Sequence, residues 1–205
     1  MERIRLPRDF TFSELGVAEA IRKRRSIREY SGEPMSLSEL SYLLKFSVGR
    51  TEERYGLRAA PSAGALYPLE AYPVVNLVEG IDPGIYHYLV SSHSLRLVRK
   101  GDFRQELVRY ALDQQFVGQA NLLLVLTAIF QRGEWKYRQR ARRFMILEAG
   151  HVGQNVYLIA TSLGLGTCAV GSYWDDDYNR LIGVDGKKES VIYLLAVGKV
   201  CAPVR

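Results

Sequence analysis

The hydrophobic and polar positions follow two periods along the chain, and each period predicts one type of element. Apolar residues spaced three and four apart predict amphipathic helices, whereas alternation or a short apolar run between turn residues predicts strands. The helical spacing predicts helices over residues 12–26, 36–49, 102–117, 144–163 and 175–183. The strand patterns predict strands over residues 71–78, 121–130 and 190–200, and a β-hairpin over residues 84–101.

The order of these elements indicates the fold class. Helices and strands follow one another as ααβββαβααβ, without the regular alternation of a doubly wound parallel sheet, so an α+β fold is predicted. The chain has 205 residues and shows no repeat, low-complexity tract or Ser/Gly-rich linker. We therefore expect one domain over residues 1–205.

The helix predicted over residues 144–163 is apolar nearly all round, although polar residues such as Glu148 argue against a membrane span. A helix of this kind must be buried on all sides, and a chain of this length hardly surrounds about 30 Å of helix by itself. Small residues at positions 149, 150 and 153 leave a flat strip where another helix can approach. We expect a homodimer with this helix at its centre; a central helix within a monomer is the alternative.

Composition and charge narrow the possible partners. Hydrophobic residues make up 47% of the chain, enough for a core, and the formal net charge of +6 favours phosphate, nucleotide, nucleic acid or a membrane surface. The 2 cysteines and 3 histidines lack metal-ligand spacing, so no metal is expected. Because neither a membrane span nor a signal peptide is apparent, we expect a cytoplasmic protein.

Two clusters of cations suggest where an anion binds. The stretch EWKYRQRARR, residues 134–143, leads into the long apolar helix, and RKRRSIREY, residues 22–30, follows the first helix. Arginine offers forked, charge-assisted donors that suit phosphate oxygens. For residues 22–30 a solvated helix end is the alternative. Nucleic-acid binding comes next, but no motif for it and no stripe of cations along one face is present.

Two loops rich in small residues suggest a slot for a flat ligand. They are APSAGALYP, residues 60–68, and GLGTCAVGSY, residues 164–173. Together with a cation cluster for a phosphate, they suit a planar nucleotide cofactor. Neither loop matches the dinucleotide-binding or phosphate-loop fingerprints, so a Rossmann unit and ATP chemistry on a P-loop are both disfavoured.

In this order the motifs resemble the nitroreductase superfamily of FMN-dependent oxidoreductases. RRSIREY is similar to its first signature, APSAGALYP to its second, and GHVGQNVYLIATSLGLGTCAVGSY to its central helix and flavin loop. The stretch WKYRQRARRFMILEAGHVGQN resembles the SagB-type branch, the dehydrogenases that form thiazoles and oxazoles. The resemblance implies a nitroreductase-like fold: a central mixed or antiparallel sheet flanked by helices, with the long helix at a homodimer interface.

The resemblance also implies a set of site residues around FMN. Residues expected at the phosphate and ribityl chain are Arg24, Arg25, Ser26 and Arg28. Residues expected to approach the isoalloxazine from the partner subunit are Pro61, Ser62, Ala63 and Gly64. Residues expected on its other side are Ala169, Val170, Gly171 and Ser172. Lys136 and Tyr137 are implied as the catalytic pair beside the flavin.

The chain departs from the pattern of simple nitroreductases at two positions. Ala65 stands where many of them carry Asn, and Gly171 stands where they often carry Glu. The contacts that this Asn and this Glu make in simple nitroreductases are therefore not expected in this chain. The two departures disfavour a generic nitroreductase. The late cation that contacts the phosphate in those enzymes has no clear counterpart, and whether Arg205 replaces it stays open.

The implied chemistry suggests a role for the cation cluster at residues 134–143. Oxidising an azoline ring to an azole removes a hydride, which FMN accepts, and a proton, which needs a base. Positive charge crowded around Lys136 favours its neutral, proton-accepting form, and Tyr137 could polarise a ring atom or relay the proton. In the alternative interpretation Lys136 is a surface cation and the neighbouring arginines pair with Glu134 and Glu148.

Three functions follow from the sequence, in descending order of support. The first is an FMN oxidoreductase that transfers a hydride between flavin N5 and an azoline in a small molecule or peptide. The second is an FMN nitroreductase or quinone reductase that uses NAD(P)H as electron donor. The third is a basic nucleic-acid-binding protein without enzyme activity.

Overall fold

The computed structural model of the protein describes residues 3–12 and 15–201. Its helices are α1 (Val17–Lys23), α2 (Leu37–Ser47), α3 (Arg104–Tyr110), α4 (Phe116–Gln119), α5 (Gln131–Tyr137), α6 (Ala141–Ser162) and α7 (Asp175–Ile182). Its strands are β1 (Arg3–Arg5), β2 (Leu69–Val75), β3 (Gly84–Leu89), β4 (Ser94–Lys100), β5 (Leu122–Ile129), β6 (Leu165–Val170) and β7 (Glu189–Lys199). Single 3₁₀ turns lie at Ala63–Ala65 and Arg138–Arg140.

All seven strands form one sheet in the order β1-β4-β3-β2-β5-β7-β6. Every pairing between neighbouring strands is antiparallel. The predicted α+β class is therefore confirmed, and of the two sheet types expected the antiparallel one is present. The hairpin predicted over residues 84–101 corresponds to β3 and β4.

Alternation along the central strand β5 divides the core into two layers. Leu122, Leu124 and Leu126 pack in the layer that also contains residues of α2 and α6. Leu123 and Val125 pack in the layer that contains residues of α3, α4 and α7. Because successive side chains of a strand point to opposite faces, one continuous apolar run serves both layers.

The long helix α6 begins three residues earlier than predicted, at Ala141, and has one covered face within this chain. Met145, Val152 and Val156 on that face are at most 2% exposed. On the opposite face Ile146 is 65% exposed and Leu147 is 55% exposed. None of the helices within residues 3–12 and 15–201 is both long and apolar enough to cross a bilayer.

The structure differs from the predicted elements in several stretches. Strand β1, which pairs with β4, was not predicted, and α1 covers Val17–Lys23 rather than residues 12–26. The loop predicted over residues 164–173 contains the edge strand β6, because Leu165–Val170 pair with β7. Helix α5 lies in the charged stretch, where too few apolar positions mark a helix. The helix predicted over residues 102–117 breaks into α3 and α4, where Leu112 and Asp113 adopt positive φ angles.

Candidate active site

The loop that follows Ala60 is held in a strained conformation. Gly64, Ala65 and Tyr67 have φ angles of +64°, +54° and +47°, a left-handed region that only glycine enters at little cost. The Ser62 hydroxyl stabilises this shape, since its oxygen accepts a 3.0 Å hydrogen bond from the Tyr67 backbone N–H. Strain of this kind persists only where the surrounding contacts enforce it, and it concentrates at functional sites.

Lys136 and Tyr137 meet this loop within the same chain. A Cβ atom added at Gly64 would lie 2.6 Å from the Tyr137 hydroxyl oxygen and 2.8 Å from Lys136 Nζ. The Lys136 ammonium also lies 5.4 Å from the centroid of the Tyr137 ring. Two motifs that are about 70 residues apart in the sequence therefore converge on one glycine.

The predicted catalytic pair lies at the surface, although the Tyr137 ring also packs against the core. Lys136 is exposed and Tyr137 is half-buried, and both line an open cleft of about 550 Å³ together with Arg138 and Arg140. The residue that follows the pair, Arg138, has a φ angle of +50°, so the chain turns sharply at this point. The cleft offers room for a ligand directly beside the amine and the phenol.

Glu148 supports the loop from behind. It is 5% exposed, and one of its carboxyl oxygens accepts a 2.5 Å hydrogen bond from the Ser62 hydroxyl. Burial raises the pKa of Glu148 to about 7, against the opposing effects of the Ser62 hydrogen bond and the Arg58 charge. A cavity of about 10 Å³, room for one water at most, separates it from Tyr137 and Phe144.

The expectation that arginines pair with Glu134 and Glu148 holds for one of the two carboxylates. Arg142 Nε lies 3.3 Å from a Glu134 carboxylate oxygen. For Glu148, the hydrogen-bond partner is the Ser62 hydroxyl. The supporting role of Glu148 was missed by sequence reasoning; the signal available was an acid inside an otherwise apolar helical run.

A second group of predicted site residues lies around Tyr157 of α6. The Tyr157 hydroxyl lies 2.9 Å from Ser26 Oγ and accepts a 3.0 Å hydrogen bond from the Ala169 backbone N–H. The Ile27 N–H also donates to the Thr167 carbonyl, at 2.9 Å, so the segment runs beside β6. The first signature and the flavin loop are thereby joined through a residue that sequence reasoning did not single out.

Three guanidinium groups border this second group. Arg24 lies over the Tyr157 ring, 5.1 Å from its centroid, and Arg28 lies 5.6 Å from the centroid of the Phe116 ring. Arg25 donates to the carbonyl oxygens of Arg22 and Arg24. In the part of the chain that the structure describes, none of these three arginines forms an ion pair with a carboxylate. Their donors therefore suit a phosphate.

The other residues implied by the flavin loop present different groups. The Val170 side chain is 2% exposed and packs in the core, so only its backbone could reach a ligand. Gly171 has open space where a Cβ would stand. The Ser172 carbonyl accepts a 3.1 Å hydrogen bond from the Gln114 side chain. Arg205, the candidate late cation, lies outside the described residues.

The two groups of site residues are held at different heights on α6. Glu148 anchors the strained loop and Tyr157 anchors the first signature, nine positions further along the same helix. At 1.5 Å per residue this separation is about 14 Å along the axis. Within residues 3–12 and 15–201, no cluster of three or more His, Cys, Asp or Glu residues could hold a metal ion.

Known proteins are similar to this chain over nearly its whole length. Residues 21–199 match the model of the nitroreductase family. A protein of Methanocaldococcus jannaschii that is named as a nitroreductase is 40% identical over 186 residues, which cover 91% of this chain and 92% of that protein. The microcin B17-processing protein McbC of Escherichia coli is 30% identical over 150 residues, 70% of this chain and 54% of that protein.

The fold has a similar match among solved structures. A crystal structure from Ralstonia eutropha that is named as a nitroreductase has a TM-score of 0.84 and 27% identity, covering 98% of this chain and 90% of that chain. The family match over residues 21–199 includes both cation clusters and both loops of small residues.

Proposed function

The chain belongs to the nitroreductase family of oxidoreductases, and we propose that it is an FMN-dependent dehydrogenase of the SagB type. Its substrate would be an azoline ring in a small molecule or a peptide. The branch is supported by the similarity to McbC, which is named for the processing of microcin B17. It is also supported by the Lys136–Tyr137 pair, which resembles the mark of that branch.

The observation that carries this proposal is the convergence of Lys136 and Tyr137 on Gly64. An amine and a phenol project toward the same glycine, at the edge of an open cleft. A side chain at position 64 would occupy the space of both groups. Such a strained, glycine-dependent juxtaposition of two proton-transfer groups is typical of a reaction site rather than of a solvated surface.

The residues around Tyr157 fit the FMN tail. Arg24, Arg25 and Arg28 would hold the phosphate, since none has a carboxylate partner among the residues described. The backbone at Gly171 would approach the ring, because no side chain blocks it there. When bound, FMN supplies a ring that accepts or returns a hydride.

The chain's own residues handle the proton released in the same oxidation. Lys136 would accept it, and Tyr137 would polarise a ring atom or relay the proton between substrate and amine. Glu148 would act as a positioning residue: it holds Ser62, and Ser62 holds the strained loop beneath the pair. The hydrogen bonds that position Ser62 and the strained loop are made within the protein itself.

We further propose a homodimer in which α6 packs against its counterpart. Ile146 and Leu147 are mostly exposed on the outer face of this helix, and Gly150 adds a flat position there. Burying two such side chains would contribute about 1.5–3 kcal/mol each. In the dimer the loop at residues 61–64 of one subunit would face the FMN held by the arginines of the other.

A reductase driven by NAD(P)H is the second candidate. It is favoured by the relative from Methanocaldococcus jannaschii, which is named as a nitroreductase and matches 91% of this chain. In that case the same cleft would receive the nicotinamide and then the electron acceptor in turn. A direct comparison of substrates separates the two candidates.

The test uses the purified chain reconstituted with FMN. We expect stoichiometric FMN uptake and oxygen-dependent conversion of an azoline peptide to the azole, measured by the mass loss of two hydrogens. Lys136→Met should keep FMN bound and lower the rate by roughly a hundredfold or more, whereas Lys187→Met, an exposed lysine far along the chain, should not. A colourless protein that refuses FMN contradicts the proposal. NADPH oxidation with a nitroaromatic but no azoline turnover favours the second candidate.

A further inference from the structure

A second cleft, of about 390 Å³, is lined in part by Leu66 and Tyr67 of the strained loop. We call it the Arg58 cleft and define its polar part by Arg50, Arg58, Glu70, His87 and Arg132. Nothing in the proposed flavin chemistry uses these five residues. The volume lies at the small end of the range for small-molecule sites, which is about 300–1,000 Å³.

The single acid of the Arg58 cleft is already neutralised by its own partners. One Glu70 carboxylate oxygen lies 2.6 Å from His87 Nε2, and the other accepts a 2.5 Å hydrogen bond from Arg132. Burial acts to raise the pKa of Glu70, but the hydrogen bonds from His87 and Arg132 outweigh it and lower that pKa. Glu70 is therefore an ionised group whose carboxylate oxygens are engaged by His87 and Arg132.

Arg50 and Arg58 are the two arginines of the cleft that form no ion pair with Glu70. Arg58 donates to the Leu69 carbonyl at 2.9 Å and lies over the Tyr67 ring, so its position is fixed without a carboxylate. Arg50 Nη1 forms an ion pair at 3.5 Å with the exposed Glu53 carboxylate, and 31% of the Arg50 side chain is exposed. A ligand in the cleft would meet the terminal nitrogens of Arg50, since its Nε is buried.

The remaining walls of the cleft limit the chemistry of the ligand. Leu66, Leu89 and Val90 provide an apolar surface beside the guanidinium groups. A carboxylate matches the two donors of a guanidinium fork with a single negative charge. A phosphate dianion would bring twice that charge close to the ionised Glu70. The cleft therefore suits a carboxylate on a short apolar body.

The Arg58 cleft adjoins the proposed reaction site through two shared elements. Leu66 of the strained loop lines this cleft and also the small cavity next to Tyr137. Arg132 and Lys136 lie on α5 four residues apart, which places them on the same side of that helix. Arg132, in the wall of the cleft, is thus about one helical turn from Lys136.

We propose that the Arg58 cleft binds the carboxylate end of the substrate and thereby sets which substrates reach Lys136. The second half of this inference, the selection of substrates that reach Lys136, rests on the proposed function. The first half, carboxylate binding by Arg50 and Arg58, stands on the cleft alone. Carboxylate binding and its effect on the flavin are measured in separate experiments.

The first experiment measures binding to the full-length chain by isothermal titration calorimetry. The probe is 3-phenylpropionate, and its uncharged amide is the matched control ligand. We expect Arg50→Gln to weaken binding of the carboxylate roughly tenfold to a hundredfold, since it removes a charge-assisted hydrogen bond. Ser91→Glu places a negative charge at the exposed rim of the cleft. It should lower the affinity for the carboxylate without disturbing a buried contact. Arg99→Gln removes an exposed cation outside the cleft and should leave binding unchanged.

Each outcome decides one half of the proposal. Equal affinity for acid and amide, or full binding by both Arg50→Gln and Ser91→Glu, overturns carboxylate binding in the cleft. In the FMN-loaded protein, binding of 3-phenylpropionate should also shift the flavin absorbance. If no such shift is observed, the proposed role of the cleft in substrate binding is overturned. Failure to take up FMN, with carboxylate binding intact, overturns the proposed function and leaves the anion site standing.

Discussion

Ser62 joins the strained loop to the long helix by donating a 2.5 Å hydrogen bond to the buried carboxyl group of Glu148. The same hydroxyl oxygen accepts from the Tyr67 N–H, so one side chain fixes both ends of the loop. Because Gly64 lies between these two contacts and touches the Lys136–Tyr137 pair, the geometry of the proposed reaction site depends on a side chain of α6.

Glu148 should make the free energy of unfolding depend on pH. Its pKa of about 7 in the folded state lies above the ordinary value of 4.5, so the folded chain keeps a proton that the unfolded chain has released. The stabilisation is complete below about pH 4.5 and is lost as pH rises through about 7, by up to about 1.4 kcal/mol per pH unit. Glu148→Gln should remove this slope in urea unfolding between pH 5 and pH 8.

The control for this measurement is Glu134→Gln, which alters a carboxylate that pairs with Arg142 near the surface. It should keep the slope of the unmodified protein. Glutamine at position 148 can still accept the Ser62 hydrogen bond, so the loop should stay in place. An unchanged slope in Glu148→Gln would contradict the assignment.

Gly64→Ala should lower turnover far more than it lowers stability. The new methyl group would stand within 3 Å of both Lys136 Nζ and the Tyr137 hydroxyl, and these mobile ends must move away. Gly80→Ala provides a matched control, because Gly80 also has a positive φ angle, +73°, and has open space around it. Both variants should cost roughly 1 kcal/mol in unfolding for the left-handed backbone. Equal turnover in the two variants would argue against the site.

Tyr157→Phe should weaken FMN binding by roughly tenfold, measured by the quenching of flavin fluorescence. The change removes the hydroxyl that joins Ser26 to the Ala169 N–H. Tyr72→Phe is the matched control, since it removes a hydroxyl that donates to Glu189 at 3.2 Å, away from both groups of site residues. Both variants should lose about 1 kcal/mol of stability. The same FMN affinity in both would remove Tyr157 from the cofactor site.

Ile146→Glu should dissociate the proposed dimer. This residue is 65% exposed in the single chain, so the substitution leaves the core of the protomer intact. A charge in a buried helix–helix interface would be left without a partner and would strongly disfavour association. Val98→Glu, on the exposed side of β4 where Val98 is 44% exposed, is the control. Sedimentation should give a monomer for the first variant only; equal mass for both would exclude α6 from the interface.

Much of the fold was predictable because its signals are local. The continuous run that forms β5 and the alternating hairpin of β3 and β4 follow directly from periodicity. The family predicted from four motifs is confirmed by a match over residues 21–199. Helix α5 was not predicted because its stretch is crowded with charge, and strand β6 because its stretch is crowded with small residues. Strand β1 was also not predicted, since it has only three residues.

The sequence by itself determined the fold class, from local periodicity, and the family, from motifs of residues close together in the chain. The resemblance to that family nominated Lys136 and Tyr137 as the candidate catalytic pair. Only the tertiary structure decided that Gly64 lies against Lys136, that Glu148 is buried behind Ser62, and that Arg50 and Arg58 line one cleft. The Arg58 cleft draws on residues from position 50 to position 132. Such contacts and their desolvation arise from packing across the sheet, which no local pattern encodes.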